Sequence, residues 1–257
     1  MGDALQRAAL HDPTGACLRP DWPAPEHVRS LMSTRIGGVS QPPYDSFNLG
    51  AHCADDARAV AANRRLLDAA LPHAPRWLRQ VHGTTVVLAD ALHDEVQADA
   101  SVSRTPGTVC AVLVADCLPV LLCSRQGDEV AAAHAGWRGL ASGVLESTLA
   151  AMRTPAAQLI AWLGPCIGPR AFQVGPEVRA AYVDRHPDDA TAFRPDGGDR
   201  YLCDLAALAR ARLSRLGVPS IHGGHWCTVA DPHRFYSYRR DGSCGRMAAL
   251  IWIAAKD

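Results

Sequence analysis

Residues 114–139 read VADCLPVLLCSRQGDEVAAAHAGWRG, and two side chains in this stretch can do chemistry. Cys117 follows Asp116 at the head of one apolar run, and His134 closes a second apolar run shortly before glycine. A thiolate and an imidazole brought together make either a metal-ligand pair or a nucleophile–base pair. The runs PVLLC and EVAAAHA are joined by SRQGD, five residues with a glycine, which suits a hairpin loop. Residues equidistant from the turn of an antiparallel hairpin face each other. The midpoint between positions 117 and 134 falls inside that loop. The spacing therefore predicts Cys117 and His134 opposite or nearly opposite each other, at the open ends of neighbouring strands. Directly opposed Cβ atoms lie about 4.5–5.5 Å apart, close enough to share one ion.

A third candidate is His82 in RQVHGTTVV, also at the edge of a β-like run and also followed by glycine. Two histidines and a cysteine make a three-ligand set, and three protein ligands with an open fourth position are the pattern of catalytic zinc. Spacing alone does not bring His82 to the other two. Arg138, at the expected start of a helix, and Arg35 in STRIGGVS are candidates for holding an anion such as phosphate, because a guanidinium fork matches an oxyanion. Asn48 in FNLG is a candidate for orienting substrate or for capping a turn. Asp99 and Asp116 are candidate partners of the histidines. Cys166 in GPCIG reads as a core thiol ahead of a residue near the site, and Arg239 and Arg240 in SYRRDG read as structural cations ahead of substrate contacts.

These side chains need strands and helices to hold them. GTVCAVLVAD, PVLLC, EVAAAHA, QLIAWLG and RMAALIWIA read as buried strands, and 77–90 is β-like. A helix is expected over 55–72, with Ala59, Ala62, Leu66, Leu67 and Ala70 on one face. Others are expected over 139–152 and 202–218, and the Pro-, Asp- and Gly-rich stretch 184–200 reads as a long loop. The pattern is α+β: mixed sheets flanked by helices, in a single domain over 21–257 after a ragged extension over 1–20.

The 257-residue chain carries 26 Lys+Arg against 26 Asp+Glu, which offers no electrostatic argument for nucleic acid or an anionic membrane. No basic and apolar leader opens it, and no run approaches the roughly 18 apolar residues of a membrane span, so a soluble, cytoplasmic protein is expected. Nine cysteines without a single CxxC argue for thiols and against a closed four-cysteine zinc site.

RQVHG, ADCLPVLL, AHAGWRG, LGPCIGPRAFQVG and FYSYRRDG, with STRIGGVSQPPYDSFNLG upstream, together resemble the YfiH-like family, also called the laccase-domain or polyphenol-oxidase family. The similarity runs from about Asp21 to the C-terminal GRMAALIW; Cys244 stands where threonine is more usual. The resemblance implies a YfiH-like layered sandwich and a zinc site formed by His82, Cys117 and His134. It also implies phosphorolysis of adenosine, inosine, guanosine and methylthioadenosine, with adenosine deamination beside it. The H-x-E…P-C-x-x-C signature of zinc nucleobase deaminases is absent, so deamination here would use a different scaffold. A second implied reading is an amidase that edits peptidoglycan precursors, using zinc or a Cys117 thiolate activated by His134. The third is a copper-dependent polyphenol oxidase, against which stands the absence of any H-x-H pair among eleven histidines.

Overall fold

The computed structural model describes residues 15–92 and 94–255. The first half of the chain runs β1 (Cys17–Leu18), β2 (Val28–Ser33), α1 (Ala57–Asp68), β3 (Leu78–Arg79), β4 (Val86–Leu88), β5 (Val96–Gln97), β6 (Ala100–Ser103) and β7 (Cys110–Val114). Then come β8 (Leu118–Ser124), β9 (Val130–Ala135), α2 (Trp137–Ser142), α3 (Val144–Ala151), β10 (Leu159–Leu163), β11 (Gln173–Val174) and α4 (Pro176–Val183). The chain ends with β12 (Phe193–Pro195), β13 (Tyr201–Cys203), α5 (Leu205–Arg215), β14 (Ser220–Gly223), α6 (Tyr238–Asp241) and β15 (Met247–Ile253).

Two sheets carry the molecule: β1-β2-β15-β7, and β14-β10-β8-β9-β6-β4. They stack face to face, and alternation along each strand decides which side chains fill the seam. Leu121 and Cys123 of β8, Val130 and Ala132 of β9, and Met247, Ala249 and Ile251 of β15 point into it. Leu118, Val120 and Leu122 point the other way, into a core shared with α2 to α5. Ala248, Leu250 and Trp252 point outward from the four-stranded sheet and meet Leu67 of α1. Both faces of each sheet are therefore covered, which is why these strands read as unbroken apolar runs. The expected α+β architecture of mixed sheets with flanking helices is what forms.

Several local expectations are corrected. The helix expected over 139–152 is two helices, because Gly143 adopts φ +104° and turns the chain between α2 and α3. The stretch 184–200 is not all loop: Pro187–Ala192 forms a 3₁₀ helix and β12 pairs with β13. On α1 the buried residues are Val60, Asn63 and Leu67, whereas Leu66 is exposed; Asn63 is inside because it donates to Ser40 and to the carbonyls of Ser46 and Asn48. The β-like stretch 77–90 splits between two sheets, β3 pairing with β5 and β4 with β6. Of the extension expected over 1–20, residues 1–14 lie outside the described residues, while β1 pairs with β2. No described helix is long and apolar enough to cross a membrane.

Candidate active site

The β8–β9 hairpin forms as expected, but its register is shifted by two residues. Pro119 faces His134 and Leu118 faces Ala135, so Cys117 lies diagonally from His134 and not opposite it. A two-residue offset preserves parity, and both side chains therefore stay on the same face; a one-residue offset would have separated them. That face is the seam between the sheets, and the pair sits where the seam opens.

His82 joins them. His82 Nε2 is 3.6 Å from Cys117 Sγ, and the His82 and His134 rings meet edge-on with centroids 4.8 Å apart. One donor atom from each of the three residues lies within 4.8 Å of the others. The trio is graded in exposure, from buried His134 through half-buried Cys117 to exposed His82.

One carboxylate positions both histidines. Asp99 is buried at the start of β6, and its Oδ1 is 2.9 Å from His134 Nδ1. The same group accepts from the amides of His82 at 2.9 Å, Gly83 at 2.7 Å and Val81 at 3.2 Å. Three amides converging on one acceptor bend the chain so tightly that His82 adopts φ +59°, a left-handed conformation a non-glycine residue rarely holds. With Nδ1 turned to Asp99, His134 has Nε2 available as a ligand. Burial alone would raise the Asp99 pKa, but the His134 hydrogen bond and the backbone amides hold it below the ordinary carboxylate value. The same balance acts on the other two groups. Burial opposes ionisation of both Cys117 and His134, yet their mutual attraction carries Cys117 down to about 6 and, with Asp99, His134 up to about 9. Without a metal, each charge favours the other, a thiolate beside an imidazolium.

The donor set also fits a metal. Sulfur and two imidazoles suit zinc, and the backbone leaves room for them: a Cβ on Gly136 would lie 2.9 Å from Cys117 Sγ and 2.9 Å from His82 Cδ2.

A cleft of about 500 Å³ opens over the trio. Leu113, Val114, Ile167 and Phe172 give it apolar walls, and Arg138, Arg239 and Arg246 give it positive charge. Among the described residues none of these three arginines is paired with a carboxylate. Arg138 lies over the Trp137 ring, 4.3 Å from its centroid. Arg246 is steadied by the carbonyls of Cys244 and Gly245.

Other candidates fall elsewhere. Arg35 does not line the cleft; it pairs with Asp45, donates to the Pro232 carbonyl and covers the Tyr236 ring. Asn48 is fully buried, accepting from Gly50 and Arg246 amides and donating to Asp55, so it caps a turn. Asp116 touches neither histidine; its carboxylate accepts from Thr228 and from the Arg239 amide. Cys166 is buried, and burial pushes its thiol pKa well up, as expected of a core thiol. Arg240 pairs with Asp241 and donates to the carbonyls of Thr228 and Phe235, a structural role. Cys244 is buried.

Sequence reasoning missed Arg246, Gln80 and Gly136. Gln80 lines the cleft and clips β7 by donating to the Leu113 carbonyl at 2.8 Å and accepting from its amide at 2.7 Å. Gln80 and Gly136 lie inside the motifs RQVHG and AHAGWRG, and Arg246 inside the C-terminal GRMAALIW, where it reads only as the polar start of a strand.

The model of the family described as multi-copper polyphenol oxidoreductase laccase matches residues 29–254. The chain is 55% identical over 239 residues to purine nucleoside phosphorylase PA4543 of Pseudomonas aeruginosa, covering 93% of this chain and 98% of that one. It is 55% identical over 237 residues to purine nucleoside phosphorylase YfiH of Escherichia coli K12, covering 91% and 97%. The crystal structure of Neisseria meningitidis protein NMB0706 superposes with a TM-score of 0.91 at 51% identity, over 93% of this chain and 100% of that one. YlmD from Geobacillus stearothermophilus follows with a TM-score of 0.82 at 30% identity, over 90% and 93%.

Proposed function

This chain belongs to the YfiH-like, multi-copper polyphenol oxidoreductase laccase family, and from that premise we propose that it is a zinc-dependent purine nucleoside phosphorylase. Its substrates are adenosine, inosine, guanosine and methylthioadenosine. The observation that carries the reading is the combination in one cleft of soft donors at the base, apolar walls and arginines without carboxylate partners. A volume of about 500 Å³ lies within the range of small-ligand sites.

Zinc held by His82, Cys117 and His134 would supply a Lewis acid at the base of the cleft. The remaining work falls to the chain. Leu113, Val114, Ile167 and Phe172 take the purine and exclude water from it. Arg138, Arg239 and Arg246 take phosphate, whose charge they offset without first breaking an ion pair. A phosphate oxygen then forms the bond to C1′ of the ribose as the C1′–N9 bond breaks. The base leaves with the electron pair and takes up the proton that the attacking hydrogen phosphate gives up. Asp99 holds both histidines in place throughout. One cysteine and two histidines would also accept copper, but three donors converging on one point serve a single ion, not a multicopper cluster.

The test is product analysis by mass spectrometry on adenosine and inosine, with and without phosphate, beside a Cys117→Ala control. Phosphate-dependent release of adenine or hypoxanthine with ribose 1-phosphate, lost in the control, is expected. Inosine formed from adenosine would add deamination. No conversion of either nucleoside would overturn the reading and leave the peptidoglycan-precursor amidase, for which the Cys117–His134 pair is the observation in favour.

A further inference from the structure

Asp116 is the residue next to Cys117, and it is held at three points. Its Oδ1 accepts from Thr228 Oγ1, its Oδ2 accepts from the Arg239 amide at 2.7 Å, and its carbonyl accepts from the Ile167 amide at 2.9 Å. Its backbone is left-handed, with φ +80°. Strain of this kind persists only where the surroundings over-determine it. The three partners lie on three separate segments, two of which, at Ile167 and at Tyr238–Arg239, form walls of the cleft. A single buried carboxylate thus ties the strand end carrying Cys117 to the wall carrying Arg239.

Arg239 is itself set in a fixed pose. Its Nη1 donates to the carbonyls of Ala171 at 3.2 Å and Gln173 at 3.1 Å, and its guanidinium lies over the Phe172 ring, 5.5 Å from the centroid. Carbonyls anchor a guanidinium without neutralising it. The N–H groups on Nε and Nη2 have no protein acceptor among the described residues, and they belong to a side chain that lines the cleft. A cation with a free donor edge, its backbone held in register with Cys117 and its guanidinium propped by two carbonyls, is suited to an oxyanion at the mouth of the cleft.

We propose that Arg239 is the arginine that fixes where phosphate sits in the cleft, with Arg138 and Arg246 adding charge, and that Asp116 is the positioning residue that sets Arg239 relative to Cys117. The assignment rests on the phosphorylase reading and names the group that recognises its second substrate.

The experiment is steady-state kinetics with phosphate and inosine varied separately, zinc content measured on every variant, and calorimetric titration with inorganic phosphate in parallel. Arg239→Gln is expected to raise the KM for phosphate about tenfold or more, as loss of a charge-assisted contact should, with the KM for inosine changed less than about twofold. Asp116→Asn, chosen because asparagine tolerates the left-handed conformation, is expected to raise the phosphate KM by about three- to tenfold with zinc retained. Thr228→Val removes one of the two contacts to the carboxylate and should move the phosphate KM in the same direction, and Thr228→Ser should restore it. An unchanged phosphate KM in Arg239→Gln overturns the assignment. A fall in kcat with unchanged phosphate KM in both Asp116→Asn and Thr228→Val overturns the positioning role. Should the wild-type protein show no phosphorolysis, the function proposed above fails and calorimetry decides this inference separately. Phosphate binding weakened in Arg239→Gln then sustains it, while binding that is unchanged, or absent in wild type, sinks it.

Discussion

Asp99 has more to do with the candidate site than its single charge suggests. It fixes the ring orientation of His134 and, through three amides, the backbone that carries His82. Asp99→Asn would keep the shape of the side chain but offer an amide nitrogen where an N–H donor now points. Zinc affinity, read by competition with a chromogenic chelator, should fall about 10–100-fold. Unchanged affinity would show that the carboxylate does not orient the ligands. Gly136 acts by what it lacks. Its φ of −61° suits any residue, so the backbone would accept alanine. The added Cβ, however, would press on both Cys117 Sγ and His82 Cδ2. Gly136→Ala should lose stoichiometric zinc, measured by elemental analysis, while unfolding of the metal-free protein shifts by no more than about 1 kcal/mol. A variant that keeps its zinc would mean the three donors have slack.

At the scale of elements, the β8–β9 hairpin supplies two of the three donors, and its turn has its own support. Glu129, buried beside the loop, accepts from the amides of Arg153 and Thr154 and pairs with Arg104 at 2.7 Å. Burial pushes its pKa up, but the amides and the arginine outweigh that and hold it below the ordinary value. A folded-state pKa below the unfolded one gives stability that is present above the unfolded pKa and lost as pH falls through the folded one. Glu129→Gln should therefore lower stability at pH 7 by about 1–3 kcal/mol in urea titrations, and the deficit should shrink on acidification below the glutamate pKa. A deficit that stays constant from pH 7 to pH 3 would rule out this role. The hairpin was legible from two apolar runs and a glycine-bearing loop. Its register was not, because loop length leaves the pairing open by a residue or two at each side and only the packed sheet settles it. The break at Gly143 was equally hidden, since apolar periodicity continues across it.

At the scale of the molecule, the cleft exists because two sheets end together. Leu121 sits fully buried in the seam between them. Leu121→Ala should cost about 2–5 kcal/mol of stability, measured by denaturant unfolding. A cost below about 1 kcal/mol would mean the sheets can close over the gap. The layered α+β arrangement could be read from the chain because covered sheets demand unbroken apolar strands, and five such runs are present.

Residue chemistry and local pattern by themselves identified five of the buried strands, two of the helices and Cys117 with His134 as a pair, because hairpin geometry is local and parity survives a shift of two; β2 and β6 went unread. The motifs carried His82 to them by resemblance alone. Only the tertiary structure decided that His82 reaches the pair, because its contact depends on Asp99, seventeen residues further along the chain, catching three amides of the His82 loop. Tertiary structure likewise removed Arg35 and Asn48 from the cleft and brought in Arg239 and Arg246. A charged side chain looks the same in sequence whether its partner is a carboxylate, a carbonyl or a ligand; which of these it meets depends on segments far away along the chain.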